Sequence, residues 1–315
     1  MKIVLTGATG FVGGRALEVL PVDSVVVVGR SRPSKVAVNN FYRSEFNAAS
    51  SFSKSLSGAD VVVHCAARAH VMKDEALNPL TEYRKVNTAG TLNLARQAAA
   101  SGVRRFVFIS SIKVNGESTE VGIPFLPEDG FIPIDHYALS KYEAEIGLRE
   151  IAEKTGMEIV IIRPPLIYGP GVKANFFSMM CWVNRGLPLP LGGVRGNKRS
   201  LVFIDNLVDL IRVCLSHPKA ANQTFLVSDD ADLSTAELLS KMSMALGVSD
   251  RTLSIPVSWI QLAAKLLGRS VVAQRLCASL QVDISKTKKI LGWQPPFTVE
   301  QGLRSTAEVF LKVRS

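Results

Sequence analysis

A strand-like apolar run that opens into three regularly spaced glycines constrains this chain more than any other feature. Residues 3–5 lead into Thr6-Gly7-Ala8-Thr9-Gly10-Phe11-Val12-Gly13, and a helical pattern follows the last glycine. Glycines in this arrangement permit a tight turn, let the backbone approach a pyrophosphate, and let the helix pack closely on the strand. The helix N-terminus offers unpaired N–H groups to an anion. The sequence therefore predicts that a bound nucleotide contacts Gly7, Gly10, Phe11, Val12 and Gly13.

Short β-branched runs alternate with helix-like stretches through the first half of the chain. Such continuous runs suit strands that are buried on both faces, so the sheet should be parallel and covered by helices. The predicted strands are residues 3–5, 25–28, 61–63, 106–109 and 159–162. The predicted helices are residues 14–20, 91–100, 137–154, 175–184, 235–246, 259–267 and 299–312. The pattern predicts a doubly wound α/β fold of the Rossmann type.

The composition of the chain changes after Arg163-Pro164-Pro165, where proline and glycine become frequent. We interpret residues 1–170 as a dinucleotide-binding domain and residues 171–315 mainly as a smaller C-terminal lobe that binds the substrate. The apolar pattern of residues 202–215 resembles a strand and helix of the first domain. The chain is therefore expected to return to that domain at about 200–225.

Charge, hydropathy and cysteine spacing narrow the classes of partner. The net charge of +10 suits nucleic acid, an anionic membrane surface or a small anionic ligand. The basic residues are scattered and not interleaved with aromatic residues, so we expect no nucleic-acid partner and favour a phosphorylated small molecule.

Apolar runs fall short of the roughly 20 residues of a membrane span, and no signal-like segment precedes the fold, so a cytoplasmic protein is expected. Four widely spaced cysteines lack metal-ligand spacing and predict reduced core thiols and no metal site: Cys65, Cys181, Cys214 and Cys277.

Residues at the ends of later strands bear on the choice of dinucleotide. In this fold the end of the second strand meets the adenosine ribose, where an acid binds the 2′-hydroxyl of NAD and an arginine accommodates the 2′-phosphate of NADP. Arg30 stands there with no acid in reach, so the sequence favours NADP and leaves NAD possible. Ala66 and Ala67 are small enough for the backbone to approach a flat ring or a sugar. His64 has no carboxylate at useful spacing and is predicted to be structural.

Three side chains form a candidate acid–base centre. Tyr137 and Lys141 are one helical turn apart and share a face. A free tyrosine has a pKa of about 10, and a nearby ammonium favours the phenolate, which would bring that pKa towards neutral. Ser111 follows the strand at 106–109, at the edge where parallel sheets bind ligands. We predict that Tyr137 exchanges a proton, that Lys141 supports it and binds the nicotinamide ribose, and that Ser111 orients the substrate oxygen.

In this order the motifs resemble the extended short-chain dehydrogenases/reductases, and among them the NAD(P)-dependent nucleotide-sugar epimerase/dehydratase family. The resemblance covers essentially the whole chain and rests on residues 6–13, 64–67, 86–91, 108–116, 137–141, 163–171 and 291–295. It implies that Asn87 lies beside the cofactor and that the loop at Pro164 covers the nicotinamide. It also implies that Asn175 and Arg199 hold the diphosphate of a nucleotide sugar. A homodimer formed by the helices at 91–100 and 137–154 is implied as well.

Departures from the family pattern bear on the reaction. Dehydratases of the family carry Asp-Glu after the catalytic hydroxyl, whereas this chain has Ile112-Lys113, which argues against a 4,6-dehydratase. Arg30 and Asn47 stand where many relatives have an acid near the adenosine, and both are candidate cofactor contacts. Lys113 stands where many relatives have a small residue. A contact with a substrate oxygen or phosphate and a solvent-facing position are equally compatible with Lys113.

Two reactions at C4 of a UDP-linked sugar are compatible with this centre. The favoured prediction is NADPH-dependent reduction of a UDP-linked 4-keto-6-deoxy-N-acetylhexosamine for surface polysaccharide synthesis. Arg30 indicates an exchanging NADPH, and residues 110–116 resemble bacterial reductases of that kind. The alternative is a UDP-sugar 4-epimerase of the UDP-glucose or UDP-N-acetylglucosamine type with bound NAD. A catalytically silent dinucleotide-sensing protein is disfavoured, because it would have no need of Tyr137 and Lys141.

Overall fold

The computed structural model describes residues 1–21, 24–69 and 78–313. Its main sheet is formed by β1 (Ile3–Thr6), β2 (Val25–Gly29), β3 (Phe41–Arg43), β4 (Val61–His64), β5 (Arg105–Ile109), β6 (Glu158–Arg163) and β9 (Gln223–Leu226). These strands are all parallel and lie in the order β3-β2-β1-β4-β5-β6-β9. Two further strands, β7 (Leu166–Tyr168) and β8 (Leu201–Phe203), pair parallel in a separate sheet.

Helices cover both faces of the main sheet and form the lobe beside it. They are α1 (Phe11–Val19), α2 (Ser53–Leu56), α3 (Pro79–Tyr83), α4 (Thr91–Ala100), α5 (His136–Thr155), α6 (Ala174–Asn184), α7 (Ile204–Cys214), α8 (Thr235–Leu246), α9 (Val257–Leu266), α10 (Ser270–Cys277), α11 (Ser285–Leu291) and α12 (Val299–Lys312). A π-helical segment, Arg84–Gly90, precedes α4. Within the described ranges, no helix combines the length and apolar character needed to cross a bilayer.

The apolar strands are buried on both faces, as the sequence predicts. In β1, Ile3 and Leu5 enter one hydrophobic core together with α1 and α7, while Val4 enters the opposite core with α4 and α5. Alternate side chains of a strand point to opposite faces, so a continuous run of Val, Ile and Leu fills two cores at once. The predicted doubly wound parallel fold is confirmed.

The predicted elements match the structure closely in the first half of the chain and less closely in the lobe. All five predicted strands are present. The helix predicted from residue 14 begins at Phe11, because Gly10 caps it directly after the turn. Gly156 ends α5 in the left-handed conformation at φ 74°, which favours glycine. The prediction omitted α10 and α11, whose apolar positions are interrupted by lysine and arginine.

The segment at 202–215 departs from its prediction. Its strand, β8, pairs with β7 outside the main sheet, and the strand that joins the main sheet is β9. Its helix, α7, contributes Leu207 and Ile211 to the same core as α1. An arginine of α1 fixes this contact, because Arg15 Nη2 donates to Asp205 Oδ2 at 2.9 Å. The apolar pattern identified the helix correctly but did not distinguish which sheet the strand joins.

Candidate active site

The glycine turn places bare backbone at the N-terminus of α1. Gly7 has φ +71°, and the Gly10 N–H donates to the Gly7 carbonyl at 2.8 Å. A Cβ added at Gly13 would lie 2.3 Å from the Gly7 oxygen, and one added at Gly7 would lie 2.7 Å from the backbone nitrogen of Ala66. Side chains are therefore excluded from both positions. This cradle beside the first N–H groups of the helix, at Phe11 and its successors, fits a dinucleotide pyrophosphate.

Tyr137 lies in the first turn of α5, close enough to the Ser111 hydroxyl for that group to lower its pKa. Asp135 caps this helix, since its Oδ1 accepts the Ala138 N–H at 2.9 Å. The half-buried Tyr137 ring meets Tyr83 edge to face, with 6.2 Å between the ring centroids. The structure thus brings two of the three predicted acid–base residues together and packs the tyrosine ring against Tyr83.

The pKa of Tyr137 moves in the direction opposite to the prediction. Burial first, and then the charges of Asp135 and Tyr83, raise the pKa of Tyr137 from 10.0 to about 12, with partial opposition from Ser111. Lys141 does not act on it, because the lysine ammonium points away to the end of β5. Tyr137 is therefore protonated at neutral pH in this structure.

The Lys141 side chain is buried and follows α5 towards the sheet. Its Nζ donates to the Ile109 carbonyl at 2.9 Å and lies 4.3 Å from the centroid of the Phe108 ring. Burial lowers the pKa of Lys141 from 10.5 to about 8, with partial opposition from Cys65 and Glu145. An ammonium carries three N–H donors. In the described part of the chain one of them is used, which leaves two for a ligand.

His64 is buried at the end of β4 with both ring nitrogens hydrogen-bonded. Nδ1 lies 2.8 Å from Thr6 Oγ1, and Nε2 lies 2.9 Å from Thr91 Oγ1. Burial, and secondarily the charge of Lys141, lowers the pKa of His64 to about 3, so the ring stays neutral. Thr6 Oγ1 also accepts the Ala66 N–H at 3.1 Å. These bonds match the predicted structural role of His64 and hold the segment after β4 against the glycine turn.

Asn87 is fully buried, and its side chain is hydrogen-bonded within the protein. Its Oδ1 accepts the Arg68 N–H at 2.8 Å, while its Nδ2 donates to the Arg68 carbonyl and to Ser140 Oγ, both at 3.0 Å. Ser140 donates in turn to the Tyr137 carbonyl at 2.7 Å. Asn87 therefore joins the segment after β4 to the first turn of α5. Its predicted contact with the cofactor stays a prediction.

The other predicted cofactor residues follow the carboxyl ends of neighbouring strands. Arg30 follows β2 and is exposed. Asn47 follows β3, and its side-chain oxygen accepts the backbone N–H two residues on at 2.9 Å. Ala67 is exposed beyond β4, while Pro164 is buried beyond β6, with its carbonyl accepting the Ile112 N–H at 3.0 Å. Because parallel strands share one carboxyl edge, these positions surround the same side of the sheet.

A buried ion pair that the sequence analysis missed lies next to the acid–base centre. Glu145, one turn after Lys141, accepts from Arg163 Nε at 2.9 Å and Nη2 at 2.6 Å, and from Ser110 Oγ at 2.6 Å. Arg163 Nη1 also donates to Asn115 Oδ1 at 2.9 Å. The network fixes α5 against the ends of β5 and β6. A signal is present in the sequence, since Glu145 shares the helix face of Lys141.

Lys113 does not simply face solvent, and its predicted contact with the substrate stays a prediction. Its half-buried ammonium lies 3.5 Å from Asp135 Oδ2 and 3.3 Å from Glu117 Oε1. Because Asp135 caps α5, Lys113 ties the Ser111 segment to the start of the helix that carries Tyr137. The sequence prediction missed this pairing because the two partners are 22 positions apart along the chain.

The two predicted diphosphate ligands lie in the lobe. Asn175 is exposed on the first turn of α6. Arg199 is half-buried, and its Nη1 donates to the carbonyls of Arg275 at 2.7 Å and Ala278 at 3.0 Å. Burial lowers the pKa of Arg199. Among the described residues neither side chain bonds to Ser111 or Tyr137, and Arg199 makes no ion pair, so its charge is available to an anionic ligand.

The cysteines are all free, but they are not all core residues as the sequence predicts. Cys214 is buried, while the other three are partly exposed. Burial raises the pKa of both Cys65 and Cys214 to about 12, so these two remain neutral thiols at neutral pH.

Comparison with known proteins accounts for this arrangement. The sequence pattern of the NAD dependent epimerase/dehydratase family matches residues 3–228. The chain belongs to this family. This epimerase/dehydratase is 52% identical to a UDP-glucose 4-epimerase of Vibrio cholerae, in an alignment covering 100% of the chain and 97% of the relative. It is 27% identical to the N-acetyl-alpha-D-glucosaminyl-diphospho-ditrans,octacis-undecaprenol 4-epimerase of Escherichia coli O157:H7, over 98% of the chain and 94% of the relative.

A solved structure shows the same fold. The crystal structure of a UDP-glucose 4-epimerase with UDP-glucose from Thermotoga maritima superposes on this epimerase/dehydratase with a TM-score of 0.78, covering 100% of both chains at 24% identity. At that identity the likeness concerns the fold. The family assignment rests on the sequence pattern and on the Vibrio relative.

Proposed function

We propose that this epimerase/dehydratase is a UDP-hexose 4-epimerase that works with NAD. The observation that carries the proposal is the placement of Tyr137 in the first turn of α5, beside the Ser111 hydroxyl and one helical turn before buried Lys141. The 52% identity to a UDP-glucose 4-epimerase along the whole chain favours epimerisation over the 4-keto reduction that the sequence analysis favoured. Identity over the full length is a stronger guide than the resemblance of residues 110–116 to reductases.

Tyr137 is assigned the proton of the C4 hydroxyl. Its Oη takes that proton as the alcohol becomes a ketone and gives it back when the ketone is reduced on its other face. Ser111 holds the sugar oxygen in line with Oη through its hydroxyl. Because the pKa of Tyr137 is about 12 in this structure, the phenolate forms only when positive charge gathers beside it. In this structure the Lys141 ammonium points to the Ile109 carbonyl, so a bound ligand, or a Lys141 side chain reoriented by that ligand, would have to bring this charge to Tyr137.

The dinucleotide would be held by the backbone at Gly7, Gly10 and Gly13 and by the two free donors of Lys141 Nζ. A bound nicotinamide would supply a reversible acceptor for the C4 hydride, so epimerisation would consume no net oxidant. The chain supplies binding, orientation and the proton at Tyr137 Oη. An epimerase that regenerates its cofactor in each cycle works best when it retains the cofactor.

Retention favours NAD, whereas Arg30 favoured NADP at the sequence level. Among the described residues Arg30 is exposed and makes no ion pair, so a 2′-phosphate would find it available. The family name and the proposed epimerase cycle both support NAD. The nucleotide released from the heat-denatured protein, identified by chromatography, separates the two cofactors, since NADP would overturn this part of the proposal.

The substrate diphosphate is assigned to Arg199, with Asn175 as a second ligand, in a lobe built mainly from residues 171–315. A guanidinium presents paired N–H donors that suit two phosphate oxygens. The half-buried position of Arg199 strengthens its attraction for an anion, because the surroundings are less polar than water.

The deciding experiment is a matched panel of assays. We expect UDP-glucose or UDP-N-acetylglucosamine to be inverted at C4 with no added cofactor and no net NADH or NADPH oxidation. Tyr137→Phe should lower turnover by more than about a hundredfold, the scale of general acid–base catalysis. Tyr142→Phe, on the same helix, is the matched control and should keep its activity. Net NADPH oxidation with a 4-keto-6-deoxy UDP-N-acetylhexosamine, without epimerisation, would instead establish the reductase.

A second candidate substrate is a sugar diphosphate linked to a polyprenol, as in the name of the Escherichia coli relative. One observation favours it. The carbonyls that bind Arg199 belong to the end of α10, and the α9–α10 segment exposes large apolar side chains next to that arginine. Epimerisation of a detergent-dispersed polyprenyl diphosphate N-acetylhexosamine, faster than that of the UDP-sugars, would select this candidate.

A further inference from the structure

The helix α9 is apolar on two opposite sides. Val257 and Ile260 pack against the core of the lobe. Trp259, Leu262 and Leu266 follow one another at helical spacing on the other side and are 70%, 58% and 80% exposed. An amphipathic surface helix normally turns its apolar stripe inward and its polar residues outward. The outer stripe of α9 therefore has no role in folding this lobe.

The exposed stripe continues beyond the end of α9. Leu267 and Val272 are each more than half exposed. With the three side chains on α9, they place five large, exposed apolar residues within 14 positions of the chain. We call this outer side of Val257–Leu266 and Ser270–Cys277 the α9–α10 surface. Apolar patches of this kind mark sites of interaction with proteins, membranes or ligands.

The charged residues of the segment that forms the α9–α10 surface are all basic. Residues 251–282 contain no Asp or Glu and carry Arg251, Lys265, Arg269 and Arg275. The nearby loop at 117–135 offers a contrast, because it also exposes Ile132 and other apolar residues but carries five carboxylates and no Lys or Arg. Of these two segments, only the α9–α10 surface combines exposed apolar side chains with basic residues. A basic partner would be repelled here, and a purely polar anionic partner would leave the apolar side chains uncovered, so the combination indicates a partner that is both anionic and apolar.

The α9–α10 surface is fixed to the lobe at both ends. Before α9, the Leu253 carbonyl accepts the Gly192 N–H at 3.0 Å. After α10, the carbonyls of Arg275 and Ala278 accept from Arg199. The exposed side chains are therefore presented by an ordered hairpin beside the arginine assigned to the substrate diphosphate.

We propose that the α9–α10 surface docks the protein on an anionic lipid bilayer. Trp and Leu side chains on one side of a helix enter the boundary between headgroups and acyl chains, and Lys and Arg bind anionic headgroups. Each basic residue near such a surface contributes about 1 kcal/mol, which is roughly a fivefold increase in binding. The protein attaches to the surface peripherally and reversibly, whichever sugar it converts.

The test is co-sedimentation of the complete protein, purified with its cofactor, with vesicles. Wild-type protein should bind phosphatidylcholine vesicles that contain phosphatidylglycerol, bind pure phosphatidylcholine weakly, and be released by high salt. Trp259→Ser combined with Leu262→Ser and Leu266→Ser should lower binding at least about tenfold. Met244→Ser removes an equally exposed apolar side chain from α8 and should bind like wild type. No turnover is measured, so a wrong enzymatic assignment leaves this outcome unchanged.

The molar mass of the same proteins, measured by light scattering, tests whether a second copy of the chain covers the α9–α10 surface instead. The proposal expects the same mass for wild type and the triple variant, because the homodimer predicted from sequence uses α4 and α5. Wild-type protein that stays in the supernatant with anionic vesicles overturns the proposal, and so does equal binding by the triple variant. A wild-type dimer that the triple variant converts to a monomer would assign the surface to a second copy of the chain and overturn it too.

Discussion

Replacing Lys141 by methionine should abolish turnover and make the cofactor-free protein more stable. The lysine is 1% exposed, and burial lowers its pKa from 10.5 to about 8. This displacement corresponds to about 3 kcal/mol of destabilisation for holding the charged form in the fold. Methionine fills a similar volume without charge but loses the hydrogen bond to the Ile109 carbonyl, at about 1–2 kcal/mol. We expect Lys141→Met to gain roughly 1–2 kcal/mol of unfolding free energy at neutral pH.

The difference in unfolding free energy between Lys141→Met and wild type should depend on pH. Below pH 8 the lysine is charged in both the folded and the unfolded protein, so the full penalty of burying the ammonium is present. Between about 8 and 10.5 the unfolded protein binds more protons than the folded one, and wild-type stability rises with pH relative to the variant. The advantage of Lys141→Met should therefore shrink across that window and be lost at its upper end.

Urea unfolding of nucleotide-stripped protein, followed by circular dichroism at several pH values, measures the difference. Lys113→Met is the control, because that lysine is one-third exposed and its removal should leave no comparable pH-dependent gap. The reasoning would be refuted by a Lys141→Met protein that is less stable than wild type at neutral pH. A stability difference that does not change with pH would refute it equally.

Two further substitutions test the surroundings of the site. Glu145→Gln should destabilise the protein by about 3–5 kcal/mol, because it leaves Arg163 buried without its carboxylate. Arg149→Gln is the control and should cost less than about 1 kcal/mol, since Arg149 is a largely exposed partner of the same carboxylate. Urea unfolding measures both free energies. Gly13→Ala should purify without bound dinucleotide, because the added Cβ would lie 2.3 Å from a carbonyl oxygen. Gly14→Ala is the control, since its Cβ meets only ordinary contacts, and this variant should retain the dinucleotide. Analysis of the nucleotide released from each variant measures the difference.

The sequence predicts those features of this fold that depend on local patterns. The five strands of the first half and the turn at Gly7 follow from apolar runs and from residue types that few conformations accept. Tyr137 and Lys141 share a helix face because their spacing is one turn. In each case the information lies within about ten neighbouring residues, so a single sequence contains it.

What the sequence did not predict depends on contacts between distant segments. Glu145 and Arg163 stand on different elements, and neither residue type indicates burial by itself. The direction of the Tyr137 pKa depends on burial and on where the Lys141 ammonium points, and helical spacing specifies neither. The choice of β9 over β8 as the last strand of the sheet is also long-range, because both runs are short and apolar.

The two displaced pKa values of the acid–base centre have a common cause. Burial favours the neutral form of every ionisable group, so it raises the pKa of Tyr137 and lowers that of Lys141. The resting centre therefore holds its proton on the tyrosine, and a phenolate at half-buried Tyr137 would lose part of its hydration without the Lys141 ammonium beside it. Proton transfer then becomes favourable only when a ligand brings positive charge or new hydrogen bonds to Tyr137 Oη. In the proposed reaction Tyr137 would therefore become basic only when the site is occupied, and it would stay protonated in the empty pocket.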